Sequence, residues 1–155
     1  MTLYFAPLEG VTDAVFRRIH HECFPGVSKY FIPFISPTQN LAFTSRDWAA
    51  IAPENNIGVP AVPQLLAKDA ALFLWAAQAL CDMGYPEVNL NLGCPSGTVT
   101  AKGKGSGLLA DVPALERLLD GIFEKPPIPV SIKTRIGYAR VEEWDRLLDV
   151  FARYP

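Results

Sequence analysis

Short apolar runs alternate with helical patterns along this chain, and the alternation restricts the fold more than any other feature. The runs predicted as strands cover residues 3–6, 29–33, 59–65, 87–92 and 130–134. Helices are predicted from Thr12 or Asp13 to about residue 23, and over 69–83, 111–123 and 141–154. Because successive strands separated by helices pair in parallel, the sequence predicts an α/β fold with helices outside a parallel sheet.

Two architectures contain this pattern, a doubly wound sheet and a TIM barrel. A complete TIM barrel needs eight strand–helix units and about 250 residues. The 155 residues of this chain provide about five units. If the fold is a TIM barrel, its sheet is therefore incomplete.

Composition narrows the class of protein. Half of the residues are apolar and 19% are charged, as in globular proteins. The 14 basic and 16 acidic residues argue against a surface that wraps nucleic acid everywhere, although they allow a local basic patch. The longest apolar stretches are about ten residues, about half of a bilayer span, and the N-terminus lacks the pattern of a secretory signal. We therefore expect a cytoplasmic protein that is not in a membrane.

The three cysteines, Cys23, Cys81 and Cys94, contain no CxxC pair. An odd number without such pairing suggests neither a disulfide framework nor a zinc site, so reduced thiols are expected. Cys23 and Cys81 fall on predicted helices, where a small buried thiol is the ordinary interpretation.

Two helices are expected to bury apolar faces, and one long segment is expected to be irregular. The first helix has Phe16, Ile19 and Cys23 at helical spacing. The last helix places four apolar side chains on one face: Trp144, Leu147, Leu148 and Phe151. The stretch from residue 34 through Asn56 shows no regular pattern.

Polar side chains lie near the ends of several predicted strands. Alternation places Asn89 and Asn91 on one side of their strand, and a later strand directs Lys133 and Arg135 to one side. Gln64 lies near the end of the third strand. Because the carboxyl ends of parallel strands face the ligand in α/β folds, these residues predict a ligand site.

Cys94 follows the fourth predicted strand in a Gly-Cys-Pro turn, which suits a small buried thiol less well. A thiol is mostly protonated at neutral pH, so it can donate a proton, whereas nucleophilic use needs an adjacent base. His20 and His21 fall in the first helix, away from the strand ends. A Cys–His pair is therefore disfavoured.

The segment 96–107 is rich in glycine and contains Lys102 and Lys104. It lacks the Gly-Lys-Ser/Thr ending of a P-loop, and its glycine spacing is not the GxGxxG dinucleotide fingerprint. We predict a mobile lid that carries two positive charges, with a solvated connection as the alternative.

Four blocks of sequence resemble the tRNA-dihydrouridine synthases in order and spacing over nearly the whole chain. Asn89-Leu90-Asn91-Leu92-Gly93-Cys94-Pro95 is the most specific of them. The other matching positions are Ala6-Pro7-Leu8-Glu9-Gly10-Val11-Thr12-Asp13 with Phe16-Arg17, Gln64-Leu65, Val99 with Gly107, and Lys133-Thr134-Arg135-Ile136-Gly137.

The resemblance implies a TIM-barrel flavoprotein that uses NADPH to reduce FMN and then reduces a uridine in tRNA. It implies that the flavin is held by Ala6, Pro7, Leu8, Gln64 and Lys133, and that no metal is needed. Asn91 would lie beside flavin and substrate, and Cys94 would be the general acid. Arg135 would be a further substrate contact by this resemblance, and the two charges of the predicted lid, Lys102 and Lys104, are also predicted to bind substrate.

The chemistry explains these residue types. Hydride is delivered to C6 of the uracil, and a neutral thiol over the opposite face can protonate C5. Lys133 can stabilise negative charge on the reduced flavin ring. The target base must first be turned out of the RNA stack.

By the same resemblance, residues 1–155 correspond to the N-terminal portion of the FMN-binding barrel. The C-terminal half of the barrel and a helical tRNA-binding domain are not among these residues. With two open sheet edges, we expect the 155 residues alone to bind FMN weakly or not at all, and to fold poorly or associate. Flavin absorbance of the purified chain tests this, since tight stoichiometric FMN would contradict it.

Two other functions stay open. One is a different FMN barrel oxidoreductase that acts on a small molecule, as dihydroorotate dehydrogenases do. The Gly-Cys-Pro turn followed by a basic segment favours a nucleic-acid substrate over it. The other is a non-catalytic fragment that acts in interaction or assembly, against which the intact site residues argue.

Overall fold

A computed structural model describes residues 2–155, which form an α/β fold with parallel strands. The strands are β1 (Leu3–Phe5), β2 (Val27–Phe31), β3 (Ala61–Val62), β4 (Gln64–Leu65), β5 (Val88–Leu92) and β6 (Val130–Thr134). The α-helices are α1 (Ala14–Cys23), α2 (Ser45–Ile51), α3 (Ala70–Asp82), α4 (Gly97–Thr100), α5 (Val112–Phe123) and α6 (Trp144–Phe151). Three 3₁₀ segments cover Pro53–Asn56, Gly105–Ala110 and Val141–Glu143.

The strands are ordered β1-β2-β3 and β4-β5-β6, and every pairing is parallel. Neighbours in the sheet are neighbours in the sequence, as in a TIM barrel, whereas a doubly wound sheet reverses its order. The prediction of an incomplete TIM-barrel type is confirmed. Within residues 2–155, β1 and β6 do not pair with each other, so the barrel is not closed.

The predicted strand over 59–65 is divided into β3 and β4 at Pro63. Proline has no backbone N–H and cannot donate to a neighbouring strand. Its carbonyl still accepts a bond from the N–H of Asn89 at 2.9 Å, and Ile35 N–H donates to the carbonyl of Gln64 at 2.9 Å. These bonds hold β4 beside β5 on one side and beside the segment that follows β2 on the other.

The core lies between the outer face of β5 and the helices α3 and α5. Val88, Leu90 and Leu92 point outward into it, as period-two alternation predicts, and are fully buried. The helices approach closely where Gly121 faces Ala70, because a Cβ on Gly121 would lie 2.7 Å from the Ala70 Cβ. The opposite face of β5 is left for polar side chains.

Aspartates begin three of the predicted helices. The side chains of Asp13, Asp69 and Asp111 accept bonds of 2.8, 2.9 and 3.0 Å from backbone N–H groups three residues later. Such N-caps satisfy donors that the first helical turn leaves free. Gly84 ends α3 with a φ of +92°, as predicted.

The stretch from residue 34 to Asn56, predicted as irregular, contains α2 and a 3₁₀ turn. Thr44 and Asp47 bond reciprocally across the first turn of α2 as a capping box. The spacing of Thr44 and Asp47 is visible in the sequence, and it is the feature from which the start of α2 could have been predicted. At the other end of the chain, Leu148 is 47% exposed, although it was expected on the buried face; Val150 is buried instead.

The prediction that α1 buries Ile19 and Cys23 is wrong. Ile19 is 47% exposed and Cys23 is also exposed, so Cys23 is not the buried thiol expected. The buried residue of α1 is Arg17. The helix meets the sheet through its aromatic side instead, where His20 packs on Phe5 at 4.6 Å between ring centroids.

In the part of the chain that the structure describes, no helix has both the length and the apolar character needed to cross a membrane.

Candidate active site at the carboxyl end of the sheet

A cavity of about 250 Å³ lies where the strands end, and it joins residues from five separate segments. Six of the predicted site residues line it: Pro7, Leu8, Gln64, Asn91, Cys94 and Lys133. Period-two alternation on β5 and β6 directs Asn91 and Lys133 to the same face, and the two are paired in register. The thiol-bearing turn and the lysine therefore meet on one side of the sheet.

Asn91 fixes the turn that carries Cys94. Its side-chain oxygen accepts bonds from the backbone N–H groups of Gly93 at 3.1 Å and Cys94 at 2.9 Å. Its side-chain nitrogen donates to Gln64 Oε1 at 2.7 Å. Gln64 and Asn91 are 0% and 6% exposed, so these bonds are made where water does not compete. The position of Cys94 is thus tied to a buried pair of amides.

The two amides belong to a longer chain of hydrogen bonds along the inner face of the sheet. Gln64 Nε2 donates to Asn89 Oδ1 at 2.7 Å, and Asn89 Nδ2 donates to Ser131 Oγ at 2.8 Å. Ser131 Oγ then donates to Glu87 Oε1 at 2.6 Å. Every bond runs toward Glu87, because an ionised carboxylate can only accept. Glu87 at one end of the chain, and the backbone N–H groups of Gly93 and Cys94 at the other, therefore set which way each amide points.

Lys29 completes this chain with an ion pair to the other oxygen of Glu87. The hydrogen bond that Lys29 donates to Glu87 raises the pKa of Lys29 above its ordinary value, despite an opposing effect of burial. Neither residue was predicted as part of the site. The sequence does indicate that Glu87 lies on the same side of its strand as Asn89 and Asn91. Its pairing with Lys29, however, could not be known without the register of the strands.

Lys133 lines the cavity beside Asn91, and none of the three ion pairs within residues 2–155 includes it. It also lines a neighbouring cavity of about 360 Å³ along the inner face of the sheet. Ala6 lines only this second cavity. The amine of Lys133 is thus available to a ligand in either space.

Thr12 holds the wall of the cavity at Leu8. Its hydroxyl accepts a bond from Leu8 N–H at 2.9 Å and donates to the Leu8 carbonyl at 3.2 Å. The carbonyl of Thr12 accepts a bond of 2.8 Å from Nη1 of the buried Arg17. The exposed loop after β1 is therefore connected to the interior of the protein.

The segment 96–107, predicted as a mobile lid, is folded and supports Cys94. It contains α4 and the start of the 3₁₀ segment Gly105–Ala110. The backbone N–H and the hydroxyl of buried Ser106 each donate to the Cys94 carbonyl at 3.0 Å. The glycines that suggested mobility are required for this contact: a Cβ on Gly105 would lie 2.8 Å from the same carbonyl oxygen.

Three of the residues predicted to bind substrate do not line the cavity. Arg135 is exposed, Lys102 is exposed, and Lys104 is half-buried. Lys104 donates from its amine to the Ser36 hydroxyl at 2.6 Å. These side chains lie outside the cavity, so only a ligand that extends beyond the cavity could reach them.

Replacing Gly105 by alanine is expected to destabilise the protein by about 2 kcal/mol. The φ of Gly105 is +57°, and the added methyl would lie 2.8 Å from both the Cys94 oxygen and Val99 Cγ1. Gly97→Ala is the matched control, because a Cβ there meets nothing within 4 Å. Urea unfolding measures both variants. Equal stabilities would show that Gly105 is not needed to support the Cys94 turn.

Comparison with known families gives a match over almost the whole chain. The family model described as dihydrouridine synthase (Dus) matches residues 4–153. The match covers every strand that lines the cavity and both ends of the segment that supports Cys94.

Several curated proteins are similar in sequence. A "Probable tRNA-dihydrouridine synthase" of Staphylococcus epidermidis is 32% identical over 158 residues, which cover 94% of this chain and 45% of the relative. A protein of the same name from Staphylococcus aureus is 32% identical, with 94% and 44% covered. The "tRNA-dihydrouridine synthase B" of Vibrio vulnificus is 31% identical, with 88% and 41% covered. The chain thus spans slightly less than half the length of these relatives.

Proposed function

The chain belongs to the dihydrouridine synthase family, and from this premise we propose that it carries the proton-donating part of an active site that reduces uridine in tRNA to dihydrouridine. Residues 1–155 would be the N-terminal portion of an FMN-binding TIM-barrel domain. In this proposal NADPH is the source of electrons and tRNA is the partner.

One observation carries the proposal: the half-buried Cys94 and the amine-bearing Lys133 line a single cavity with the amides of Gln64 and Asn91. A thiol can protonate a carbon atom held over it, and a cation can stabilise negative charge on a ligand beside it. A structural cysteine would need neither the cation nor the buried amides that orient its turn.

The polar groups of the cavity fit a flavin ring. One N–H of the Gln64 amide is donated to Asn89, which leaves the second for a ligand. Lys133 forms none of the ion pairs in residues 2–155, so its charge is available for a ligand's acceptor atoms. FMN, when bound, supplies the hydride for C6 of the uracil, and NADPH restores its reduced form.

In the proposed reaction, the residues of this chain complete the reduction. Addition of hydride at C6 moves the electron pair of the C5–C6 double bond onto C5 and the adjacent carbonyl. The Cys94 thiol gives its proton to C5, and the thiolate regains a proton from water. Asn91 holds the Cys94 backbone in place through its bond at 2.9 Å. The uridine must leave its RNA stack to reach the thiol.

The decisive test uses the protein expressed from its complete reading frame, mixed with FMN, NADPH and an unmodified tRNA transcript. We expect mass spectrometry of the digested RNA to show a uridine that has gained two hydrogen atoms. Oxidation of NADPH with a small substrate such as orotate, without any change in tRNA, would contradict the proposal and favour a small-molecule oxidoreductase. Absence of both reactions would favour a non-catalytic protein.

A further inference from the structure

Three lysines come together beside the cavity, at the carboxyl end of the sheet. We call Lys68, Lys102 and Lys104 the lysine cluster. Lys68 follows β4, whereas the other two belong to the segment that supports Cys94. The two segments are in close proximity, because a Cβ on Gly103 would lie 3.9 Å from Lys68 Cδ. Residues far apart in the sequence thus form one positive surface.

The charges of the lysine cluster are not paired with carboxylates in the part of the chain that the structure describes. None of the ion pairs within residues 2–155 includes any of its three members. The nearest carboxylate in sequence, Asp69, caps α3 by accepting from Leu72 N–H at 2.9 Å. Burial, together with the charges of Lys102 and Lys68, lowers the pKa of Lys104 below its ordinary value. An anion bound here would therefore relieve a repulsion that the protein leaves uncompensated.

Ser36 fixes the direction of one of these amines. Its hydroxyl donates to the Leu66 carbonyl at 3.2 Å and accepts from Lys104 Nζ at 2.6 Å. An ammonium group has three donors, so two of those on Lys104 remain for a ligand. Holding a long side chain in one position before binding lowers the entropy lost when a ligand arrives.

The lysine cluster is also connected to the reacting thiol. Lys104 directly precedes Gly105 and Ser106, and Ser106 bonds the Cys94 carbonyl at 3.0 Å. Lys68 and Lys102 are exposed, and neither lines the cavity. A ligand that reaches both the thiol and the lysines must therefore extend beyond the cavity, as a nucleotide strand does.

We propose that the lysine cluster, with Ser36 orienting Lys104, binds a backbone phosphate of the RNA strand that flanks the uridine in the cavity. This inference rests on the proposed function for the identity of the strand. Lysine binds phosphate as a point charge, so the site would position the RNA without reading its sequence.

The experiment measures binding of an unmodified, fluorescently labelled tRNA transcript at several salt concentrations. The variants are Lys68→Gln and Lys104→Gln in the protein from its complete reading frame. Lys125→Gln is the matched control, because Lys125 is exposed and precedes β6 at the opposite end of the sheet. Since a neutralised phosphate releases counterions, weakening this one contact should reduce the slope of log Kd against log salt in each cluster variant, by at most roughly 0.7–0.9. A loss of affinity of about 3–10-fold at about 0.1 M salt should accompany it.

A second arm distinguishes the phosphates of RNA from those of a nicotinamide dinucleotide. Binding of NADP⁺ should be the same in Lys68→Gln and in the control. A weakened NADP⁺ affinity with unchanged tRNA binding would overturn the proposal, and so would a tRNA salt slope in Lys68→Gln equal to that of the control. Failure of the proposed function is separately visible, because the unaltered protein would then form no dihydrouridine even if the lysine cluster bound RNA.

Discussion

Replacement of Cys94 by alanine is expected to slow dihydrouridine formation by about 10²–10⁴-fold, the range that a positioned acid contributes. Alanine cannot donate a proton, whereas the backbone N–H that bonds Asn91 at 2.9 Å is retained. The turn should therefore keep its shape while the reaction loses its acid. The measurement is a single-turnover reaction of the reduced, FMN-loaded protein with tRNA, with dihydrouridine counted by mass spectrometry.

A matched control and a second readout separate chemistry from structure in this experiment. Cys23→Ala removes an exposed thiol on α1, which does not line the cavity, and should leave the rate unchanged. Oxidation of NADPH in the absence of tRNA should also be unaffected in Cys94→Ala, because in the proposed mechanism the thiol acts only on the uracil. If both half-reactions fell together, Cys94 would be a structural residue. An unchanged rate with tRNA would remove it from the mechanism.

Much of this site could be predicted from sequence because strand periodicity is local. Asn89 and Asn91 alternate with apolar neighbours, and the structure places the apolar ones in the core. Parallel order then brings strand ends to one edge, which is why Gln64, Asn91 and Lys133 meet around one cavity. Their roles stay predictions, but their proximity follows from the pattern of the chain.

The hydrogen-bonded chain from Gln64 to Glu87 could not be predicted in this way. It depends on register: Asn89 lies opposite Ser131, and Gln64 lies opposite Asn89. A shift of one residue in any pairing would reverse the side on which each residue faces. Sequence shows which residues are polar, whereas the partner of each is set by the three-dimensional structure.

Glycine content in the segment 96–107 does not by itself predict mobility, because composition does not distinguish mobility from close packing. Gly105 is buried against the Cys94 carbonyl, and a Cβ on Gly107 would lie 3.0 Å from the Thr100 oxygen. Both positions need the absence of a side chain. The same residue type that permits a flexible loop permits a tight contact between backbones.

The buried face of α1 differs from its prediction for another reason: its buried residue is an arginine, which is an exception to the rule that apolar residues fill the core. Arg17 is 1% exposed, and burial lowers the pKa of its guanidinium. Its Nη1 donates to the Thr12 carbonyl at 2.8 Å, and Nη2 donates to the Ala50 carbonyl at 3.0 Å and to Asn56 Oδ1 at 2.7 Å. One planar cation thus joins α1, the end of α2 and the 3₁₀ turn that follows it.

Asn56 extends the network around Arg17. Its side-chain nitrogen donates to the carbonyls of Ala50 and Ala52, each at 3.0 Å. It also contacts the Tyr85 hydroxyl at 3.3 Å, and that hydroxyl donates to the Ile51 carbonyl at 2.7 Å. Burial raises the pKa of Tyr85 to about 12, so the phenol keeps the proton that it donates. The bonds from Arg17 to the Thr12 carbonyl and to the Asn56 oxygen are buried, so water does not readily replace the guanidinium at these two acceptors.

Replacement of Arg17 by methionine is therefore expected to lower the free energy of unfolding by about 3–5 kcal/mol. Methionine fills most of the space of the arginine stem, but it leaves the Thr12 carbonyl and the Asn56 oxygen without the donor that Arg17 provides, and the Ala50 carbonyl keeps only its bond from Asn56. Arg18→Met is the matched control: Arg18 is the next residue and exposed, so its loss should change stability by less than about 0.5 kcal/mol. Urea unfolding of the protein from its complete reading frame measures both. Similar midpoints for the two variants would mean that the network contributes little to stability, and that the loop at Leu8 is held by Thr12 alone.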